Sequence, residues 1–247
     1  VDPAYYVAAG SLKARSLQLD MVSNNLANAA TVGYKPEKSF FSVYNKAKAD
    51  GRGLPLSQYV NDGAITAQSG IDFSQGAVKT TGRSMDLAIE GNGFFMVKTP
   101  QGNLATRDGR FQLGTNGQLQ AMDGSPLLGK NNLPIQIDPA GDPVKVLPDG
   151  SVMQGDTTAG QIDLRTFTNP GALQRSGANR YTPSGAPATA SSATVTQGAL
   201  EQSSVDLSTC MVDMIRLNRL FEMSMKVAST VTNDMDARSI SDISTGR

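Results

Sequence analysis

The chain has 247 residues, with 22 basic and 22 acidic side chains, no histidine, no tryptophan and one cysteine. This length supports one or two domains with real cores, and the charge balance lacks the basic excess of a nucleic-acid binder. Missing histidine removes the commonest general base, and a lone Cys210 excludes an internal disulfide and a cysteine zinc site.

Helical patterning opens the chain. Asp2 suits an N-cap and Pro3 a first helical position. Tyr5, Ala8, Leu12, Leu19, Val22 and Leu26 follow the three-four spacing of a heptad seam, with Arg15 as its one large violation. The spacing predicts a helix over about 4–29, stopped near Asn28 and broken at Gly33. The first residues lack a basic stretch followed by a long apolar one, which predicts no cleaved secretory signal. No run approaches the length of a membrane span. Read alone, these features describe a soluble, cytoplasmic chain.

The middle reads differently. From about 36 to 195 it is rich in Gly, Thr and Ser, and turn dipeptides recur at Asp62-Gly63, Asp108-Gly109, Asn116-Gly117, Asp123-Gly124 and Asp149-Gly150. Between them lie short β-branched or aromatic runs at 94–97, 111–113, 135–137 and 144–146. This spacing predicts an all-β domain of sandwich or barrel type, with Asp108-Gly109 as a hairpin turn. Residues 178–195 are small and polar and read as a loop or extended connector.

At the other end, Leu207, Cys210, Met214, Leu217, Phe221, Ser224, Ala228, Val231 and Met235 keep the heptad alternation without a slip. Met211, Ile215 and Met225 widen the stripe. No Gly or Pro interrupts 199–245, and a helix is predicted over about 203–240, with Asp206 favouring its N-terminal dipole. The predicted fold is α+β. Its N- and C-terminal helices pair as a coiled-coil-like core (residues 1–35 with 200–247), an extended connector covers 36–85, and the β domain with its return connector covers 86–199. The core-packing set is Tyr5, Ala8, Leu12, Leu19, Val22, Leu26, Met214, Leu217, Phe221, Ala228 and Val231.

Catalytic motifs fail on inspection. Residues 124–131 approach the phosphate-cradling loop, but Asn131 stands where a hydroxyl should bind magnesium, and Pro134 follows where a helix should run. Gly91-Asn92-Gly93 lacks the third glycine and the helix of a dinucleotide site. Asp138 and Asp142 lack calcium-loop spacing. No catalytic residue, metal ligand, cofactor or small-molecule substrate is expected.

One block is specific. Ser23-Asn24-Asn25-Leu26-Ala27-Asn28-Ala29-Ala30-Thr31-Val32-Gly33-Tyr34-Lys35 closely resembles the motif that ends the N-terminal helix of bacterial flagellar rod and hook proteins. Asn24, Asn25, Leu26, Asn28, Thr31, Gly33 and Tyr34 carry that turn motif. Residues 86–97 are similar to the family's entry into its β domain, Thr106-Arg107-Asp108-Gly109-Arg110-Phe111 to its T-R-[DN]-G-x-F block, and Gly198 to Val205 to the stretch before its last helix. The run Arg219 to Val227 resembles proximal-rod members, with distal-rod members as the alternative.

The resemblance implies a structural subunit of the basal-body rod with no active site, bound to other copies of itself and to other rod proteins. It implies export by the flagellar type III apparatus without a cleaved signal peptide, in place of the cytoplasmic reading. It also implies assembly into a helical tube that crosses the periplasm and transmits torque from motor to hook. A secreted coiled-coil adhesin would explain the heptads but not the Asn24–Lys35 block.

Overall fold

A computed structural model describes residues 3–42, 66–177, 179–183 and 188–245; the side chains of some of these, at 3–9, 231 and 234–245 among others, fall outside the description. Helix α1 spans Pro3–Ala27 and helix α2 spans Leu207–Thr245. Seventeen short strands are described between them. The chain forms two compact units. One comprises Val1–Ala27, Glu37–Gly70 and Asp206–Arg247, and the other comprises Asn28–Pro36 and Ile71–Val205.

The apolar core belongs to the second unit. Its largest sheet has six strands, all antiparallel to their neighbours. In spatial order they are β13 (Leu173–Arg175), β14 (Arg180–Pro183), β6 (Gly102–Thr106), β5 (Phe94–Thr99), β12 (Leu164–Phe167) and β15 (Ala188–Ala190). Strand β5 shows why Phe94-Phe95-Met96-Val97 is apolar without interruption. Successive strand side chains point to opposite faces, and both faces are covered here. Phe95 and Val97 enter one buried cluster with Leu87, Ile89, Phe111, Leu127 and Val152. Phe94 and Met96 enter a second, with Leu128, Phe167, Leu173 and Tyr181.

Smaller ladders complete the unit. Strand β9 (Val144–Val146) pairs with β10 (Ser151–Gln154), which pairs with β11 (Thr157–Gln161). Asn116-Gly117 turns the hairpin of β7 (Phe111–Leu113) and β8 (Leu119–Ala121). Strand β4 (Leu87–Glu90) pairs with β16 (Thr194–Gln197), and β3 (Val78–Thr80) pairs with β17 (Ala199–Glu201).

Three expectations need correction. First, the terminal helices do not form a coiled-coil-like core. They lie against each other within their unit, but the described side chains show no interlocked apolar seam. On α1 the buried positions are Ala14, Met21 and Asn25, offset from the predicted stripe, and Leu12, Leu19, Val22 and Leu26 are half-buried. Among the described side chains of α2, Leu217 alone is buried, at 9% exposure; Met214, Phe221 and Ala228 are half-buried and Leu207 is exposed. The physical reason is composition. The seam contains Ala8, Arg15, Ser224 and Ala228, too little apolar volume for successive knobs to fill facing holes. Tyr5, Ala8 and Val231 lie on the helices, with side chains outside the described residues.

Second, residues 178–195 are not a plain connector. Arg180–Pro183 and Ala188–Ala190 are strands of the six-stranded sheet, and Thr194 starts β16. Small residues suit strands whose partners supply the bulk, and the fully buried Tyr181 anchors this one. Third, Asp108-Gly109 does not turn a hairpin. It links β6 to β7, which belong to different sheets. Gly109 is required because a Cβ there would lie 1.6 Å from the Leu87 carbonyl oxygen. Asp62-Gly63 lies outside the described residues.

Candidate functional site

Residues 32–36 form a strap on the β unit, a turn at 32–33 followed by irregular chain over 34–36. Helix α1 ends at Ala27, and the Asn28 carbonyl accepts the Thr31 amide at 3.0 Å while its side-chain oxygen accepts the Thr31 hydroxyl at 3.2 Å. The chain then reverses at Gly33, whose φ of +67° is left-handed. Only glycine fits: a Cβ would lie 2.5 Å from both the carbonyl carbon and oxygen of Arg107.

Each strap residue is tied to a distant segment. The Val32 carbonyl accepts from Asn179 Nδ2 at 2.8 Å. The Gly33 amide donates to the Glu201 carbonyl at 2.8 Å, and the Tyr34 carbonyl accepts the Ser204 amide at 3.3 Å. The Lys35 carbonyl accepts from Arg175 at 2.7 Å, and the Pro36 carbonyl accepts the Asp72 amide at 2.9 Å. The Arg175 guanidinium also stacks over the Tyr34 ring, 4.6 Å from its centroid.

Beneath the strap is a buried ion cluster. Lys35, Glu201 and Arg107 are 0%, 1% and 3% exposed. Lys35 Nζ lies 2.5 Å from Glu201 Oε1 and donates to the Ser74 carbonyl at 2.6 Å. Arg107 donates to Glu201 Oε2 at 2.9 Å and to the Gly91 carbonyl at 2.8 Å. Glu201 Oε1 also accepts the Gly76 amide at 2.8 Å. One carboxylate therefore serves two cations and a backbone donor. Arg107 Nε has no hydrogen-bond partner among the described residues, and the guanidinium lies 5.2 Å from the Phe94 ring centroid. Burial pulls the Lys35 ammonium below the usual lysine value, against the opposing pull of the Glu201 carboxylate.

This arrangement supports no chemistry. Its charged groups are committed to one another and to backbone carbonyls and amides, with Arg107 Nε alone left unpaired among the described residues. Its work is mechanical: it gathers remote stretches of chain at one point.

The motif residues are divided between the units. Asn25, in the helical unit, forms a two-bond bridge to β1 (Glu37–Ser42), donating from Nδ2 to the Glu37 carbonyl at 2.8 Å and accepting the Glu37 amide at 2.9 Å. Asn24 is exposed and Leu26 half-buried on α1. Asn28, Thr31, Gly33 and Tyr34 belong to the strap's turn in the β unit. Sequence reasoning passed over Arg107, Glu201, Arg175 and Asn179. Arg107 and Glu201 lie inside two of the motif blocks, Thr106–Phe111 and Gly198–Val205, but Arg107 stands beside Asp108 and Arg110, and nothing local marks either charge as buried.

The comparisons with known proteins divide along the same lines. Three family models match: "Flagella basal body rod protein" over 6–35, "Flagellar hook protein FlgE/F/G D1 domain" over 88–154 and "Flagellar basal body rod FlgEFG protein C-terminal" over 196–241. The flagellar basal-body rod protein FlgF of Mesorhizobium japonicum is 32% identical over 94% of both chains. The chain belongs to the flagellar basal-body rod protein family. FlgF of Caulobacter vibrioides is 34% identical over 92% of both chains, and FlgG of Bacillus subtilis is 32% identical over 91% of this chain and 93% of its own. Rod proteins of this family are structural, non-enzymatic subunits, and this chain acts in the rod with other rod components. Each ion of the buried cluster comes from a different matched block: Lys35 closes the first, Arg107 lies in the second and Glu201 in the third.

Proposed function

We propose that this rod subunit joins copies of itself and other rod proteins in a helical tube, through its terminal helices, and carries torque along it. The observation that carries this reading is the apolar flank of α2. Met211, Val212, Ile215, Met223, Met225 and Val227 are all exposed, with Val212 at 65% and Ile215 at 57%. A single soluble chain seldom leaves so many large apolar groups along one helix uncovered, and methionines adapt to surfaces that are not identical. A repeated contact between unlike faces continues along an axis instead of closing, as a tube requires. On this reading the terminal helices supply the contacts between subunits.

Within the family, the proximal (FlgF) type is favoured over the distal (FlgG) type. The FlgF alignments run over 234 and 231 residues, fewer than this chain contains. The FlgG alignments for Buchnera aphidicola and C. vibrioides run over 251 and 259 residues at a similar share of this chain, so insertions separate it from FlgG. We also propose export by the flagellar type III apparatus and a place in the part of the rod that crosses the periplasm. A rod-bound subunit whose mass shows a cleaved N-terminal segment would contradict that route.

The test is deletion of the gene and imaging of the remaining basal bodies. Arrest at the inner rod supports the proximal assignment; a proximal stub lacking only the distal rod overturns it. In parallel, Ile215→Asp, on that exposed flank, is expected to abolish incorporation while the β unit stays folded. Normal rods built from that variant would refute assembly through α2.

A further inference from the structure

We propose that the Lys35–Glu201–Arg107 cluster is a register clamp, which together with the turn at Gly33 holds the strap leaving α1 and the segment entering α2 at one alignment. Extended segments pair through repeating amide and carbonyl groups. Their side chains alternate with a period of two, so a two-residue slip preserves both the bonds and the faces. The strap and residues 201–204 are joined by two such bonds, Gly33 amide to Glu201 carbonyl and Ser204 amide to Tyr34 carbonyl; the left-handed turn at Gly33 anchors one end of the strap and leaves the alignment beyond it to side chains. What separates one register from the next is side-chain identity, and here it is supplied by charge.

Glu201 makes the assignment twice. Its carbonyl accepts the Gly33 amide and its carboxylate takes the Lys35 ammonium. Strand β17, which contains Glu201, is itself held in register by pairing with Val78 of β3, and the Gln202 amide donates to the Ala77 carbonyl at 2.8 Å. Arg107 then fixes the carboxylate from the other side at 2.9 Å, so the acceptor cannot turn toward a displaced lysine. In a slipped strap Lys35 leaves the carboxylate, and the cluster holds a charge buried without its partner. Buried ion clusters add little stability relative to apolar replacements of the same shape, but they penalise wrong alignments heavily. Fixing register is therefore the role that accounts for three charges where apolar side chains would pack.

The position gives the clamp its consequence. The strap follows the C-terminus of α1 after a short turn, and Glu201 to Ser204 lead directly into α2. A fixed alignment here sets the relative position of the chain ends from which both helices grow. That consequence rests on the reading that these helices assemble the rod; the clamp itself does not.

The test is amide hydrogen exchange on the full chain. In Lys35→Met the Arg107–Glu201 pair persists, so the β unit keeps its fold. Protection of the Gly33 and Ser204 amides is expected to fall about tenfold or more, while the β5 and β6 amides of Val97 and Leu104 stay within about twofold of the parent. The triple variant Lys35→Met, Arg107→Met, Glu201→Met is expected to melt at or above the parent temperature, lose the same two protections and fail to build rods. Unchanged protection at Gly33 and Ser204 in Lys35→Met overturns the clamp, and that measurement stands if the triple variant does not fold. Lost protection with normal rods overturns its proposed consequence for the helices and leaves the assignment of rod function intact.

Discussion

Gly33→Ala tests whether the strap is held as tightly as its geometry requires. The residue has φ of +67°, and its new Cβ would sit 2.5 Å from the Arg107 carbonyl carbon and oxygen and 2.7 Å from the Asp108 nitrogen. An L-residue in the left-handed region costs about 1–2 kcal/mol. The close atoms are all backbone, so no side chain can swing aside, and forcing them apart costs a further 1–3 kcal/mol or so. Gly124 is the control. Its φ of +86° is also left-handed, yet nothing lies within 4 Å of its Cβ position. Gly124→Ala should therefore cost only the backbone part, about 1 kcal/mol. The difference between the two variants isolates the clash, and at about 2–4 °C per kcal/mol it separates their melting temperatures by several degrees. The strap can also escape by detaching locally, which would cap the fall in melting temperature. Thermal melts should then be read beside exchange of the Gly33 and Ser204 amides. If Gly33→Ala matches Gly124→Ala in both, the packing argument fails.

Further outcomes follow from the same cluster and its surroundings. Glu201→Ala leaves Lys35 and Arg107 buried without their shared anion and should cost about 3–5 kcal/mol. Urea titration checks this, and a loss smaller than that of Lys35→Met would contradict the central place of the carboxylate. Burial pushes the Tyr181 hydroxyl from 10.0 to about 12. Between those values the unfolded chain has lost a proton that the folded chain keeps, so stability falls as pH rises. Tyr181→Phe should flatten that alkaline loss in urea midpoints taken at pH 8 and 11. Asp206 caps α2: its carboxylate accepts the Thr209 hydroxyl at 2.7 Å, and the amides of Ser208 and Thr209 at 3.0 and 3.4 Å. These bonds, the Thr209 hydroxyl first, hold its pKa below the usual aspartate value. The cap is intact above 3.8 and is lost as pH falls through the lower folded value, so acid should speed exchange in the first turn of α2. Asp206→Ala should show that fraying at neutral pH as well.

Several elements were legible because they depend on local physics. Unbroken helix-forming sequence from 207 onward, capped by Asp206, reads as α2 without reference to the rest of the chain. Asn116-Gly117 between apolar runs reads as a turn for the same reason, since glycine there allows the left-handed backbone that the loop from β7 to β8 uses. The asparagine-rich block after α1 identified the family from its residues. Asp108-Gly109 looked equally local and was misread: Gly109 is present because the Leu87 carbonyl crosses directly above it, and no neighbour in sequence reveals that. The strands at 180–183 and 188–190 escaped because each is short and lies in a stretch rich in Pro, Ser, Gly and Ala that reads as a loop, while the sheet that pairs them is remote in sequence.

The heptad spacing shows the same boundary between local and tertiary control. Three-four alternation established that 5–26 and 207–235 favour helices, since the period follows from backbone geometry alone. Whether those stripes bury each other depends on how much apolar volume meets at each level, and a seam of Ala, Arg and Ser supplies too little. The cluster of Lys35, Arg107 and Glu201 lies wholly on the tertiary side. Each charge is unremarkable in its own segment, because the free energy of burying it is defined only once the strap, the Thr106–Phe111 link and strand β17 exclude water from the same point. Sequence alone determined the two terminal helices and the family; folding decided which remote residues meet, because desolvation belongs to the assembled neighbourhood and not to any one stretch of chain.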